Sequence, residues 1–91
     1  MSKECCVLKL DSGEEIISRV VELPSDKIAL DHPMVIQVIM QQGTPGFGMM
    51  PWLMASEDTE FIIDSNRVVT TGKPKKDIES QYLSAATGLA L

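Results

Sequence analysis

Turn signals cut this chain into short runs in which apolar and polar residues alternate, and that punctuation confines it to a small antiparallel β fold. The first run, Cys-Val-Leu-Lys-Leu at 6–10, stops at Asp11-Ser12-Gly13, a tripeptide suited to a tight hairpin. The second run, 15–23, sets Ile17, Arg19, Val21 and Leu23 on one side and Ile16, Ser18, Val20 and Glu22 on the other. Both sides carry apolar residues, as expected of a strand that packs inside a barrel and also touches something outside it. Pro24-Ser25-Asp26-Lys27 is the next turn. A third run, 28–41, is interrupted at Asp31-His32-Pro33, where proline removes a ladder donor and calls for a bend or an edge. Residues 42–48, with three Gly and one Pro, read as a flexible hairpin loop, after which 49–56 resumes as strand. Glu57-Asp58-Thr59-Glu60 reads as an acidic turn on a solvated face. Runs at 61–63 and 68–71 flank a turn at Asp64-Ser65-Asn66-Arg67. Pro74 then opens one amphipathic helix with Ile78, Tyr82, Ala85 and Leu89 on its apolar side.

Five or so short strands followed by one helix predict a mainly β fold, a strongly bent five-stranded antiparallel barrel of SH3-like type. A chain of 91 residues makes one domain, 1–91, with the barrel at about 5–71 and the helix at about 74–89. Doubly wound α/β folds are excluded. The helix either packs on its own barrel or grips another protein. Edges of a rolled sheet leave backbone groups unpaired, and two candidate edges lack the charges that keep edges apart. These edges, marked by Met50, Trp52 and Met54 and by Val68 and Val69, are the expected subunit interface. Joining one edge of each copy to the other edge of the next is a head-to-tail contact, which a constant rotation closes into a homo-oligomeric ring.

Eight Lys and Arg against 13 Asp and Glu give a net charge of −5, so the chain as a whole repels phosphate and any nucleic-acid contact must be local. No apolar h-region and no long apolar span occur, so a cytoplasmic protein without membrane contact is expected. Adjacent Cys5 and Cys6 with the single His32 are too few and wrongly spaced for zinc, so reduced thiols, no metal and no cofactor are expected. No catalytic motif is present, and a hydrolase built on Asp31 with His32 or Ser65 lacks a nucleophile–base–orienter set, so no catalytic residues and no enzyme are expected.

Residues 7–20, Val-Leu-Lys-Leu-Asp-Ser-Gly-Glu-Glu-Ile-Ile-Ser-Arg-Val, resemble the first motif of the Sm and Sm-like (LSm, Hfq) family, with Ser18 where that family prefers Gly. Asp31-His32-Pro33-Met34 is similar to the Asp-x-x-Met that opens the family's third strand, with Val35 at the position of its nucleotide-contacting Asn; a second register uses Asp26 instead. Ile63-Asp64-Ser65-Asn66-Arg67-Val68 has the spacing of the second motif, Ile-Arg-Gly-x-x-Val, with Asp64 and Ser65 replacing Arg and Gly. The resemblance covers about 6–71 and extends to divergent Sm-like proteins of marine metagenomic, presumed cyanophage, origin. It implies a five-stranded barrel, a ring, and binding of RNA or single-stranded DNA in nucleic-acid processing, in the host cytoplasm if the chain is phage-encoded. The family's N-terminal helix is not expected before Cys5, and a C-terminal helix is expected in its place.

The resemblance directs attention to His32 as a base-stacking side chain and to Asn66 and Arg67 as amide and cation around a pore. Each has a plainer alternative: a hydrogen-bonded turn histidine, and an Arg67 paired with Asp64 or Glu60. Lys73, Lys75 and Lys76 form the one basic cluster, fit either to track phosphate or to be a solvated charge run. A structural or protein-assembly module that binds no nucleic acid is the competing function.

Overall fold

The protein is described by a computed structural model covering residues 4–87. Strands β1 (Glu4–Leu10), β2 (Glu15–Leu23), β3 (Lys27–Gln41), β4 (Thr44–Pro51), β5 (Glu60–Asp64) and β6 (Val68–Gly72) precede one helix, α1 (Lys76–Thr87). A 3-10 turn, Ser65–Arg67, joins β5 to β6. All pairings are antiparallel, in the order β4-β3-β2-β1-β6, with β5 also on β3. The small, mainly β antiparallel barrel with a C-terminal helix is the architecture the strand pattern predicts, with six strands among the described residues against the expected five.

Strand β3 organises the sheet. Its first half pairs with β5, Lys27 opposite Asp64 and Asp31 opposite Glu60, while its second half pairs with β4, Met34 opposite Pro51 and Gln41 opposite Thr44. Strands β4 and β5 therefore lie end to end along one side of β3. Between them, residues 52–59 leave the sheet where the Trp52 N–H donates to Pro33 O (3.0 Å) and return where the His32 N–H donates to Thr59 O (2.6 Å). The strand expected over 49–56 thus ends at Pro51, because the excursion begins once β3 has bent away.

That bend is a bulge. Ile17 pairs with Met34 and Arg19 with Asp31, so β3 holds one more residue than β2 across this step, and His32 takes a left-handed φ of +57°. One extra residue reverses the parity of the side chains. Before the bulge Ile28 and Leu30 point into the barrel with Leu8, Leu10 and Ile16; beyond it Val35 does so, and Met34 and Ile36 turn to the opposite face. Ser18, at the position where the Sm pattern has glycine, is buried opposite the bulge, with its hydroxyl directed at the carbonyls of Arg19 (2.9 Å) and Asp31 (3.2 Å).

The second apolar face of β1 and β2 is covered by α1. Ile78, Tyr82 and Ala86 pack on Ile17, bordered by Cys5, Val7, Met34, Ile36 and Met49. Ile17, Leu8, Ile16, Leu30 and Tyr82 are fully buried, each contributing about 1.5–3 kcal/mol by leaving water. Helix spacing here is four and four. Ala86 rather than Ala85 completes the apolar side, Ala85 is exposed, and Leu89 lies outside the described residues. The Tyr82 hydroxyl accepts the Arg19 N–H (3.1 Å) and faces the carbonyls of Asp31 and His32 (both 2.9 Å).

Residues 42–48, expected as a loop, belong to an extended arm. Only Gln42 (φ +52°) and Gly43 (φ +80°) form the turn, in the paired left-handed conformation that a two-residue hairpin requires. Pro45 and Pro51 are tolerated because β4 has β3 on one side only. The arm carries exposed Val38, Met40 and Phe47, and the molecule measures 46 × 29 × 27 Å.

Candidate nucleic-acid interface

Two turns meet at one end of the barrel. The β2–β3 turn places Ser25 and Asp26 in left-handed backbone (φ +64° and +59°), and Asp26 O accepts the Ser65 N–H (2.8 Å) at the start of the 3-10 turn. Asp64, just before that turn, forms an ion pair with Lys27; Arg67, at its end, donates to Asp11 Oδ2 (3.0 Å), while its own carbonyl accepts the Asp11 N–H (2.8 Å). Lys27, Asn66 and Arg67 are exposed around this junction, so the three turns at 11–13, 24–26 and 65–67 form one polar surface. Lys27 holds the Asp64 carboxyl below its ordinary value of 3.8, and Asp11 holds the Arg67 guanidinium above its ordinary value. Both cations are thus already paired. Exposed pairs of this kind hold only weakly, so a phosphate can compete for them.

His32 is elsewhere. The rung joining Lys27 to Asp64 and the rung joining Asp31 to Glu60 are separated along β3 by roughly 13 Å at strand rise, and His32 lies beyond the second. Its Nδ1 is 2.8 Å from Asp31 Oδ1 and 3.2 Å from Arg19 Nη2, and Arg19 also bridges to Asp31 Oδ2 at 3.2 Å. The structure does not bring His32 together with Asn66 and Arg67. His32 is a bulge residue within β3, tied to the helix through Tyr82, and of the two registers for the Asp-x-x-Met pattern it is Asp26 that sits beside the second turn. No local signal distinguishes the registers, because what separates them is the position of the bulge.

The recess next to His32, about 240 Å³, is bounded by Trp52, Phe61, Leu53, Glu57 and Asp58. Its two carboxylates make it a poor seat for phosphate. Trp52 packs against the barrel core edge-on to Phe61 (6.3 Å, 89°), with its indole N–H donating to Glu14 (3.2 Å), so it belongs to the chain's own core rather than to an outer edge. Of the other residues expected at an interface, Met50 is half-buried in β4, Met54 is exposed in the 52–59 excursion, Val68 turns inward and Val69 outward.

Lys73 and Lys75, between β6 and α1, and Lys76, the first residue of α1, are exposed and are not part of the turn cluster. Cys5 and Cys6 are free thiols. Burial, then the neighbouring Glu79 carboxylate, pushes Cys5 up to about 11; burial also raises Cys6. Both are poor nucleophiles at neutral pH. Among the described residues no three His, Cys, Asp or Glu side chains gather as a metal site, and no helix is long and apolar enough to cross a membrane.

An antiparallel barrel whose two motif turns meet at one end is the Sm arrangement, and the family model for the Sm_like domain matches residues 7–83. The chain belongs to the Sm-like family. A comparison with curated proteins found no match.

Proposed function

We propose that this chain assembles into a homo-oligomeric ring and binds single-stranded RNA, or single-stranded DNA, at the turn cluster around Asp26, Lys27, Asn66 and Arg67, in a non-enzymatic role in nucleic-acid processing in the cytoplasm, of a host cell if the chain is phage-encoded. One observation carries the reading: among the described residues β5 pairs only with β3 and β6 only with β1, and each outer edge presents an exposed apolar side chain, Ile62 (65% exposed) and Val69 (66% exposed). Such edges call for strand partners, and joining β5 of one copy to β6 of the next satisfies both. Weak contacts at each turn cluster then repeat around the ring and add up by effective concentration.

The test is titration of short single-stranded oligonucleotides at low and at moderate salt. Binding that weakens with salt and falls further in Arg67→Ala and Asn66→Ala supports the site; binding equal in all three proteins refutes it. The structural or assembly module is the second reading. It is favoured by the −5 net charge and by the prior pairing of Lys27 and Arg67 with carboxylates, and it predicts no oligonucleotide binding even at low salt.

A further inference from the structure

Two charged segments flank the edges that the ring reading joins. Glu57 and Asp58 lie just before β5, and Lys73, Lys75 and Lys76 just after β6; all five are exposed. Every ladder in the sheet is antiparallel. An antiparallel junction between β5 and the β6 of a second copy therefore brings the segment preceding one strand alongside the segment following the other.

The register of that junction follows from the side chains. Paired residues share a face of the sheet. On β5, Ile62 points outward while Ile63 packs on the barrel core; on β6, Val69 points outward while Val68 packs on the same core. Setting Ile62 opposite Val69 of the next copy also sets Ile63 opposite Val68, so outward and inward apolar pairs form together. A shift by one residue would put an outward side chain against an inward one. Counting outward from this register sets Glu60 opposite Thr71 where β5 begins, and leaves Asp58 of one copy and Lys73 of the next just beyond the paired strands on the same side of the junction, with Glu57 and Lys75 as the neighbours beyond.

We propose that each junction of the ring is closed by a charge clamp between Glu57 and Asp58 of one copy and Lys73 and Lys75 of the next, so that the lysine cluster recognises a second copy of this chain rather than nucleic acid. The clamp rests on the ring reading above. It gives both segments a purpose: like charges would force wrong partners apart, and opposite charges fix direction and register. An exposed clamp of this kind weakens with salt.

The experiment measures assembly by sedimentation over a dilution series for the wild type, Asp58→Lys, Lys73→Glu and the double variant. Replacing attraction by repulsion at one pair across the junction is expected to raise the dissociation midpoint about tenfold for either single variant, and the double variant, which restores opposite charges, is expected to return to the wild-type midpoint. Retained β-type circular dichroism in the single variants shows that the barrel itself is folded. A wild type that sediments as a single chain at every concentration overturns the ring reading and the clamp with it. A wild-type ring whose midpoint is unmoved by either single variant, or not restored in the double variant, overturns the clamp alone.

Discussion

Removing one oxygen atom tests how the helix is held. Tyr82 is fully buried, and its hydroxyl accepts the Arg19 N–H at 3.1 Å while donating toward the Asp31 and His32 carbonyls at 2.9 Å, at the point where the bulge disrupts the β2–β3 ladder. In Tyr82→Phe the ring still fills its site, so the transfer and cavity costs are small. What is lost is one accepted bond and one donated bond, each worth about 1 kcal/mol net, with a further cost for a backbone donor left without water. The sum is about 2–3 kcal/mol, which for a domain of this size lowers the melting temperature by roughly 10–20 °C. Urea unfolding followed by circular dichroism, at one fixed protein concentration because association shifts apparent stability, is the assay. Tyr82→Ala, which adds a cavity, is expected to cost about 3–5 kcal/mol. A loss below about 0.5 kcal/mol in Tyr82→Phe would show that water replaces the hydroxyl and that the bulge does not depend on α1.

Cys5, raised to about 11, keeps its proton in the folded state at a pH where the unfolded chain loses it. Tyr82 is also raised above its ordinary 10.0, chiefly by burial. Stability from Cys5 is therefore complete below pH 9 and is lost as pH rises from 9 through 11, and that from Tyr82 is complete below pH 10 and is lost above it; the urea midpoint should fall over these intervals, and a flat profile would contradict the burial of these groups. At pH 8 a disulfide-exchange reagent should label the thiols slowly in the native protein and quickly in denaturant, whereas rapid native labelling of Cys5 would show it exposed. Ile62→Lys on the outer edge of β5 should leave the fold intact, within about 0.5 kcal/mol in the isolated subunit, but abolish assembly; a variant that still forms the wild-type species places the interface elsewhere. Gly43→Val, at φ +80°, should destabilise the arm by about 1–3 kcal/mol, read as faster hydrogen exchange at residues 37–48.

Local pattern carried most of the fold and little of the site. The two-sided hydrophobicity of 15–23 foretold a strand with a core on each face, and the second face proved to be the one that α1 covers. Ladder pairing outweighed composition at 42–48: Gly46, Phe47 and Gly48 are held against Ile39, Val38 and Gln37, and only Gln42 and Gly43 need turn geometry. The helix differed by one residue, because Ala85 and Ala86 are equally apolar and only the packing against Ile17 chooses between them. At the candidate site the missing information was long-range. Arg67 pairs with Asp11, not with Asp64 or Glu60, because the β1–β6 ladder brings the first turn to the last. His32 looked like a loop residue because Pro33 follows it, yet the interruption is a bulge that keeps the strand running and turns the histidine toward Asp31 and Arg19.

A ring requires the free edge of β5 in one copy to meet the free edge of β6 in the next. Molar mass by light scattering during gel filtration, at low salt and at the highest soluble concentration, addresses this directly. One discrete species at a whole multiple of 10.0 kDa is the result predicted, and a peak that stays at 10.0 kDa as concentration is raised would contradict it.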